Sequence, residues 1–281
     1  MTLMELRDER PHWSYSSLNC LLNVCSLQWA FERHWKLPPE GPVSAALVTG
    51  SAYHRCLELE ATARMNGEAI QRGKLPDLFT TLLERQVEQD GGEVDWKEID
   101  QESAANEGRR LVQCHIENID PEEQVVAVNH TFCTPLVDAQ GNATERPLVG
   151  EADCVVENGK RTVVDWKTSK TRYSSWKVAK SMQGTAMLYG VRQSLGPVDV
   201  FRFDLVVKLK RAPAFERYET TRNQDDYHRL ASLALMAEKI VKNETFHPCE
   251  GGFASPCGFC RYKAACKAWH RDRERLISVA A

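Results

Sequence analysis

Two runs of strand-forming residues, 148–157 and 160–168, are separated only by Asn158-Gly159. Asn and Gly both tolerate positive φ, so this step predicts a tight hairpin. Side chains alternate across a strand. In Val163-Val164-Asp165-Trp166-Lys167-Thr168, Asp165 and Lys167 therefore share one face, while Val164 and Trp166 share the other and are free to pack on a helix. An acid and a lysine on one face of a buried strand cost desolvation energy unless they are used. The hairpin also brings Asp153, in Gly150-Glu151-Ala152-Asp153, near Asp165, with the register left open. Two carboxylates suit a hard cation, Mg²⁺ or Mn²⁺. Such an ion polarises a phosphoryl oxygen and lowers the pKa of a bound water. A neighbouring lysine can orient that water and offset charge building on the phosphate. The hairpin thus reads as a phosphodiester-hydrolysis site. The plain alternative is an ordinary D-x-K alternation on an exposed strand; the apolar Val163, Val164 and Trp166 argue for a core strand instead.

Around the hairpin, apolar periodicity and punctuation predict helices over 14–35, 44–66, 77–89 and 96–118, and a strand over 124–134. After it come a helix over 174–195, a strand over 200–209, a short strand over 216–220 and a helix over 224–243. A cysteine-bearing tail starts at Phe246. Helices, three strands, helix, one or two strands and helix make an α/β chain with a central mixed sheet flanked by helices. A length of 281 residues fits one large domain, or a domain with an appended module.

No apolar run approaches the roughly 20 residues needed to span a membrane. Met1 to Arg10 lacks the apolar core of a secretory signal, so a cytoplasmic protein is expected. The formal net charge of −3 argues mildly against a nucleic-acid binder, although residues 167–180 and 261–275 are locally basic. Ten cysteines without a signal peptide point to metal or redox chemistry. Cys56, Cys114, Cys133 and Cys154 are scattered and read as small buried apolar residues. Cys257, Cys260 and Cys266 are spaced C-x₂-C-x₅-C, a metal-binding pattern that needs a fourth ligand. Cys249 is a local candidate and would give a Cys₄ zinc site; Cys25 is a distant one, with Cys20 as its neighbour and competitor.

The stretch from Gly150 to Thr168 resembles the RecB-like and Cas4-like branch of the PD-(D/E)xK nucleases. That family shows a glycine, an aspartate three residues on, a hairpin, and an apolar strand ending in D/E-x-K-T. Gly150, Asp153, Asp165, Lys167 and Thr168 follow this order, with Trp166 where tyrosine is common. Gly50-Ser51-Ala52-Tyr53-His54 resembles the family's helix-borne glycine-to-histidine motif, which implies His54 as a further metal ligand beside Asp153 and Asp165. Ser181-Met182-Gln183 to Tyr189 resembles the following helix, whose glutamine and tyrosine face the active site. The family usually spaces those two by four residues; here the spacing is six, so Gln183 and Tyr189 do not share one helical face and Gln183 is favoured. The resemblance also selects Cys25 as partner of Cys257, Cys260 and Cys266. Iron–sulfur members carry one cysteine in the first helix and three near the C-terminus, although Ser26 replaces the usual proline. Four thiolates suit a [4Fe–4S] cluster, and Zn²⁺ equally by spacing alone. The implied organisation is a single nuclease domain over 1–281. It comprises N-terminal helices (14–66), a variable helical segment (67–121), the nuclease core (122–245) and a cysteine segment (246–281).

The resemblance implies a restriction-endonuclease-like fold and a metal-dependent deoxyribonuclease. An exonuclease acting on single-stranded or end-containing DNA is expected, in recombination, repair, or phage- or CRISPR-related processing in a bacterial or phage-infected cell. A recombination or repair protein would be its natural partner, and no membrane is involved. Arg172, Tyr173, Trp176, Lys177 and Lys180 are candidate DNA contacts, combining phosphate-binding cations with stacking rings; a solvated helix face is the plain alternative. A non-catalytic nucleic-acid-binding or assembly subunit is a competing function, which the intact Asp153, Asp165 and Lys167 argue against. A redox or metal sensor built on the cysteine site is another.

Overall fold

Cys25 splits the expected first helix. In the computed structural model, which describes residues 11–68, 70–97, 99–249 and 255–271, α1 (Tyr15–Asn19) runs into a wide turn closed by Cys25 N–H to Cys20 O at 2.9 Å. Cys25 is then extended (φ −164°, ψ 113°), and α2 (Ser26–Trp29) starts a second helical stretch that ends in a similar wide turn. The break has a long-range cause. Leu27 N–H donates to His247 O at 3.0 Å, and Ser26 Oγ accepts His247 N–H at 2.8 Å, so the C-terminal segment crosses at the break.

A two-residue strand, β1 (Val43–Ser44), leads into α3 (Ala45–Met65), followed by α4 (Leu75–Gln89), β2 (Val94–Asp95), which pairs with β1, and α5 (Gln101–Ile116). The last helix starts later than expected because Asp100 caps it, accepting Ser103 N–H at 2.7 Å, and leaves Trp96 in the preceding loop. The main sheet has the order β3 (Gln124–Thr134), β4 (Leu148–Asn158), β5 (Lys160–Ser169), β6 (Val200–Val207), β7 (Ala214–Thr220). Its pairs are antiparallel except β5 with β6, which are parallel. A parallel pair requires a crossover. Here the crossover is α6 (Ser175–Ala179) and α7 (Met182–Ser194), two helices where one was expected. Ser174 and Ser181 each cap a helix through the side chain, and the second cap makes the break. The chain ends with α8 (Gln224–Lys242) and α9 (Lys263–Arg271).

Strand alternation feeds two cores. On one face Val155, Val163, Phe201 and Phe203 pack with α1, α2, α7, α8 and Tyr262. On the other Cys154, Val156, Val164, Trp166 and Val206 pack with α3, α4 and α5. The mixed sheet between two helical layers is the expected α/β class, consistent with a restriction-endonuclease-like fold. Cys56 and Cys154 are buried as expected, whereas Cys114 and Cys133 are only partly covered. No described helix is long and apolar enough to cross a membrane.

Candidate active site

β4 and β5 separate where their register reaches the two acids. Their last pair is Cys154↔Val164, and one further step sets Asp153 opposite Asp165. There Trp166 N–H donates to Asp153 Oδ2 at 2.9 Å. The same oxygen lies 3.4 Å from His54 Nδ1, carried by α3 from the opposite helical layer. Asp165 Oδ1 accepts from Gln183 Nε2 of α7 at 2.5 Å. Asp165 Oδ2 is 2.8 Å from Lys167 Nζ as an ion pair, but it is buried and accepts no well-aligned hydrogen bond.

The electrostatics of this cluster are uneven. Burial pushes the Asp165 carboxyl up to about 6; Lys167 opposes that shift and Asp153 adds to it. Burial also acts to raise Asp153, but His54, Lys167 and the Trp166 N–H outweigh it, and its pKa falls below the ordinary value. His54 is raised, because Asp153 more than offsets its burial. Lys167 is raised as well: Asp165 and Asp153 overcome the desolvation that would lower it. One carboxylate is thus held ionised and its partner is poised to bind a proton or a cation. Among the described residues no three His, Cys, Asp or Glu side chains already converge on one point. The buried Asp165 Oδ2 beside Lys167, the hard oxygens of Asp153 and the imidazole of His54 nevertheless fit a divalent ion in donor type.

The sequence profile of the PD-(D/E)XK nuclease superfamily matches residues 12–267. The chain belongs to that superfamily. Its members generally use divalent ions such as Mg²⁺ or Mn²⁺ on a nucleic-acid substrate. A candidate exonuclease from Eubacterium rectale is similar in fold, with 12% identity, a TM-score of 0.51 and 88% of each chain covered. SSO0001 aligns over 95% of this chain and 92% of its own at 13% identity, with a TM-score of 0.42. None of the curated proteins matches the sequence.

In this PD-(D/E)XK nuclease the motif glycine has a packing reason. A Cβ on Gly150 would lie 2.4 Å from Phe132 Cζ, and one on Gly190 would lie 2.1 Å from Phe132 Cε2. Phe132 is wedged between the two glycines, which draws α7 onto the strand carrying Asp153. Gln183, near the start of α7, reaches Asp165; Tyr189 does not. Its hydroxyl donates to Pro135 O at 2.8 Å and its ring packs against Tyr227. The structure therefore does not bring Tyr189 to the carboxylates, as the six-residue spacing implies.

A cavity of about 300 Å³ opens beside Lys167 and Gln183, walled by Tyr15, Tyr173, Lys177, Ser181 and Phe203. Tyr15 and Phe203 carry no site signal in the sequence: the docking of α1 against the sheet brings Tyr15 there, and β6 carries Phe203. Of the candidate DNA contacts, Tyr173 lines this cavity, and Lys177 Nζ lies 3.6 Å from the centre of its ring. Trp176 is 71% exposed, with Lys180 Nζ 5.1 Å from its ring centre. Arg172 is ion-paired with Glu216, so its charge is already partly satisfied.

Cys20, Cys25, Cys260 and Cys266 pack against the same core, without three thiols converging on one point among the described residues. Cys25 Sγ accepts N–H groups from Gln28 at 3.4 Å and Cys249 at 3.3 Å. Burial pushes the Cys260 thiol up, and the neighbouring Cys25 and Cys257 add to that shift. Cys257 Sγ points to Cys249 O at 3.8 Å. Cys20, whose thiol burial raises to about 12, donates to Cys25 O. Cys266 packs on the same core, its N–H bonded to Tyr262 O at 2.9 Å. The last residues of the basic stretch 261–275 lie outside the described residues.

Proposed function

We propose that this chain is a metal-dependent deoxyribonuclease, an exonuclease that hydrolyses single-stranded or end-containing DNA during recombination, repair, or phage- or CRISPR-related processing. The observation that carries the reading is Asp153 facing Asp165 across the parted strands, with Lys167 and His54 beside them. His54, Asp153 and Asp165 would hold the divalent ion. When bound, Mg²⁺ or Mn²⁺ supplies a Lewis acid for the phosphoryl oxygen and a water of lowered pKa. Lys167 Nζ stabilises negative charge on the phosphate at the cavity mouth. Gln183 fixes the rotamer of Asp165 through Nε2. Tyr173, Trp176, Lys177 and Lys180 supply ring and cation contacts to a strand entering the cavity, and Arg172 lies at its edge. Access through a cavity walled by aromatic side chains favours an unpaired strand or a frayed end over continuous duplex.

The same reading assigns Cys25, Cys257, Cys260 and Cys266 to one [4Fe–4S] cluster joining the two ends of a single nuclease domain. The support is the donor chemistry: two N–H groups already point at Cys25 Sγ, and Cys25 and Cys257 both lie near enough to Cys260 to raise its thiol pKa. A zinc site that includes Cys249 is the alternative, favoured by the placement of Cys249 against Cys25 and Cys257.

End-labelled linear DNA and closed circular DNA, each incubated with Mg²⁺ or Mn²⁺ beside an Asp165→Ala control, test the function. Ends-only degradation that the control lacks is expected. Cleavage that persists in excess chelator, or in the control, would refute the metal-dependent assignment.

A further inference from the structure

A second cleft opens on the far side of α7. It has a volume of about 450 Å³ and is walled by Tyr189, Arg192 and Gln193 of α7 and by Arg222, Tyr227 and His228 at the start of α8. Among the described residues no aspartate or glutamate lines it, and Asp226 is the nearby acid whose charge acts on Arg222. Arg222 makes its charge notable. Nε donates to Thr185 Oγ1 at 2.7 Å, Nη1 to Thr220 Oγ1 and Thr221 O at 2.6 Å each, and Nη2 to Ser181 O at 3.0 Å and Val178 O at 3.3 Å. Every acceptor is neutral. The guanidinium is held rigidly by dipoles, and no carboxylate bonded to it cancels its charge. Arg192 is exposed and stands beside the Tyr227 hydroxyl. Tyr189 and Tyr227 rings lie 5.5 Å apart, with Tyr227 backing the half-buried Tyr189.

This cleft and the catalytic cavity share a wall. Ser181, whose carbonyl Arg222 binds, lines the cavity beside Lys167 and Gln183. From Gln183 to Arg192 the helix advances about 14 Å at 1.5 Å per residue. At about 3.4 Å per stacked nucleotide, that rise alone takes roughly four nucleotides, a minimum, because nine residues at about 100° each set the two side chains on opposite faces of α7.

We propose that this cleft is a second strand-binding subsite of the nuclease: Arg192 donates to a phosphate of the single-stranded substrate at least four nucleotides from the scissile bond, with the fixed charge of Arg222 behind it. Tyr189 offers the ring on which a base stacks. The inference rests on the deoxyribonuclease reading above and gives it a minimum substrate length.

The test uses the full chain carrying Asp165→Ala, so that DNA is bound and not consumed. Fluorescence anisotropy compares a labelled thymidine trinucleotide with a labelled dodecanucleotide over a salt series. Adding Arg192→Ala should weaken dodecanucleotide binding about tenfold and flatten the slope of log affinity against log salt by about 0.7, the value for one phosphate of a single strand. The trinucleotide should lose less than twofold, and Arg192→Lys should restore the slope. Equal losses at both lengths, or an unchanged slope, would overturn the subsite while leaving the nuclease assignment standing. Failure of the Arg192-intact protein to bind either oligonucleotide, together with inertness of the wild-type chain towards DNA, would overturn both.

Discussion

Asp153 stands opposite Asp165 one step beyond the last paired residues of the hairpin, and the Trp166 N–H that follows Asp165 is bonded to the Asp153 carboxylate. The first acid thus fixes the backbone at the second. Asp153→Ala removes both a proposed metal ligand and the acceptor for a part-buried N–H. It should abolish cleavage and also lower stability by about 1–3 kcal/mol. Lys167→Ala should lower kcat by roughly 10²–10³-fold, the scale for losing one group that stabilises developing charge. Steady-state turnover and urea melts separate the two effects. Wild-type turnover in purified Lys167→Ala would remove the lysine from the mechanism.

Binding of the metal should depend on pH through Asp165. Burial lifts its carboxyl pKa to about 6, and a ligand must be deprotonated to bind. Affinity for Mn²⁺ should therefore fall up to tenfold per unit as pH drops below about 6, with proton release on binding seen by calorimetry. The stability effect has the opposite sign. A folded pKa above the ordinary 3.8 means that the folded state binds the extra proton. Ion-free protein should lose stability as pH rises from about 4 through 6, and Asp165→Asn should remove that slope. A pH-independent Mn²⁺ affinity between 5 and 7 would contradict the assignment of Asp165 as ligand.

Gln183→Ala should reduce kcat more than Tyr189→Phe does. The amide touches the Asp165 carboxylate, whereas the phenol touches a backbone carbonyl outside the site. Tyr189→Phe should instead cost about 1 kcal/mol of stability, the net worth of one hydrogen bond. A larger kcat loss for Tyr189→Phe would reverse their roles.

Gly190→Ala should destabilise the protein by about 1–3 kcal/mol, because the added methyl overlaps the Phe132 ring. A compensating Phe132→Leu should recover part of the loss. Additive destabilisation by the two changes would show that the ring and the glycine do not pack as described.

Anaerobically purified protein should be brown, with about four iron and four sulfide per chain, and Cys25→Ala or Cys260→Ala should lose the colour and lower Tm. Cys20→Ala and Cys249→Ala should do neither. A colourless protein with one zinc, released by Cys249→Ala and retained in Cys25→Ala, would establish a local zinc module instead.

The hairpin was the most legible part of the chain. Its turn and apolar alternation announced β4 and β5, and counting back from the observed Asn158↔Lys160 pair leads to Asp153 facing Asp165. The strand and helix order of the core was equally readable, because those elements are stabilised by local periodicity. The break at Cys25 was not, since it is set by His247 from the other end of the chain. The split between α6 and α7 left a local trace in Ser181, whose hydroxyl caps Gly184 N–H, but the apolar pattern continues across it. Tyr15 gave no signal at all: a residue enters a cavity through tertiary docking, which periodicity within one helix does not encode.

The crossing of His247 over Ser26 and Leu27 joins positions separated by 221 residues. A ribosome adding roughly 5–20 residues per second needs about 10–45 s to travel that far. Throughout that interval the nascent N-terminal layer, which contributes Tyr15 to the cavity beside Lys167, lacks the segment that fixes its bend. The order of synthesis therefore delays completion of the wall beside Lys167 until residue 247 has been made.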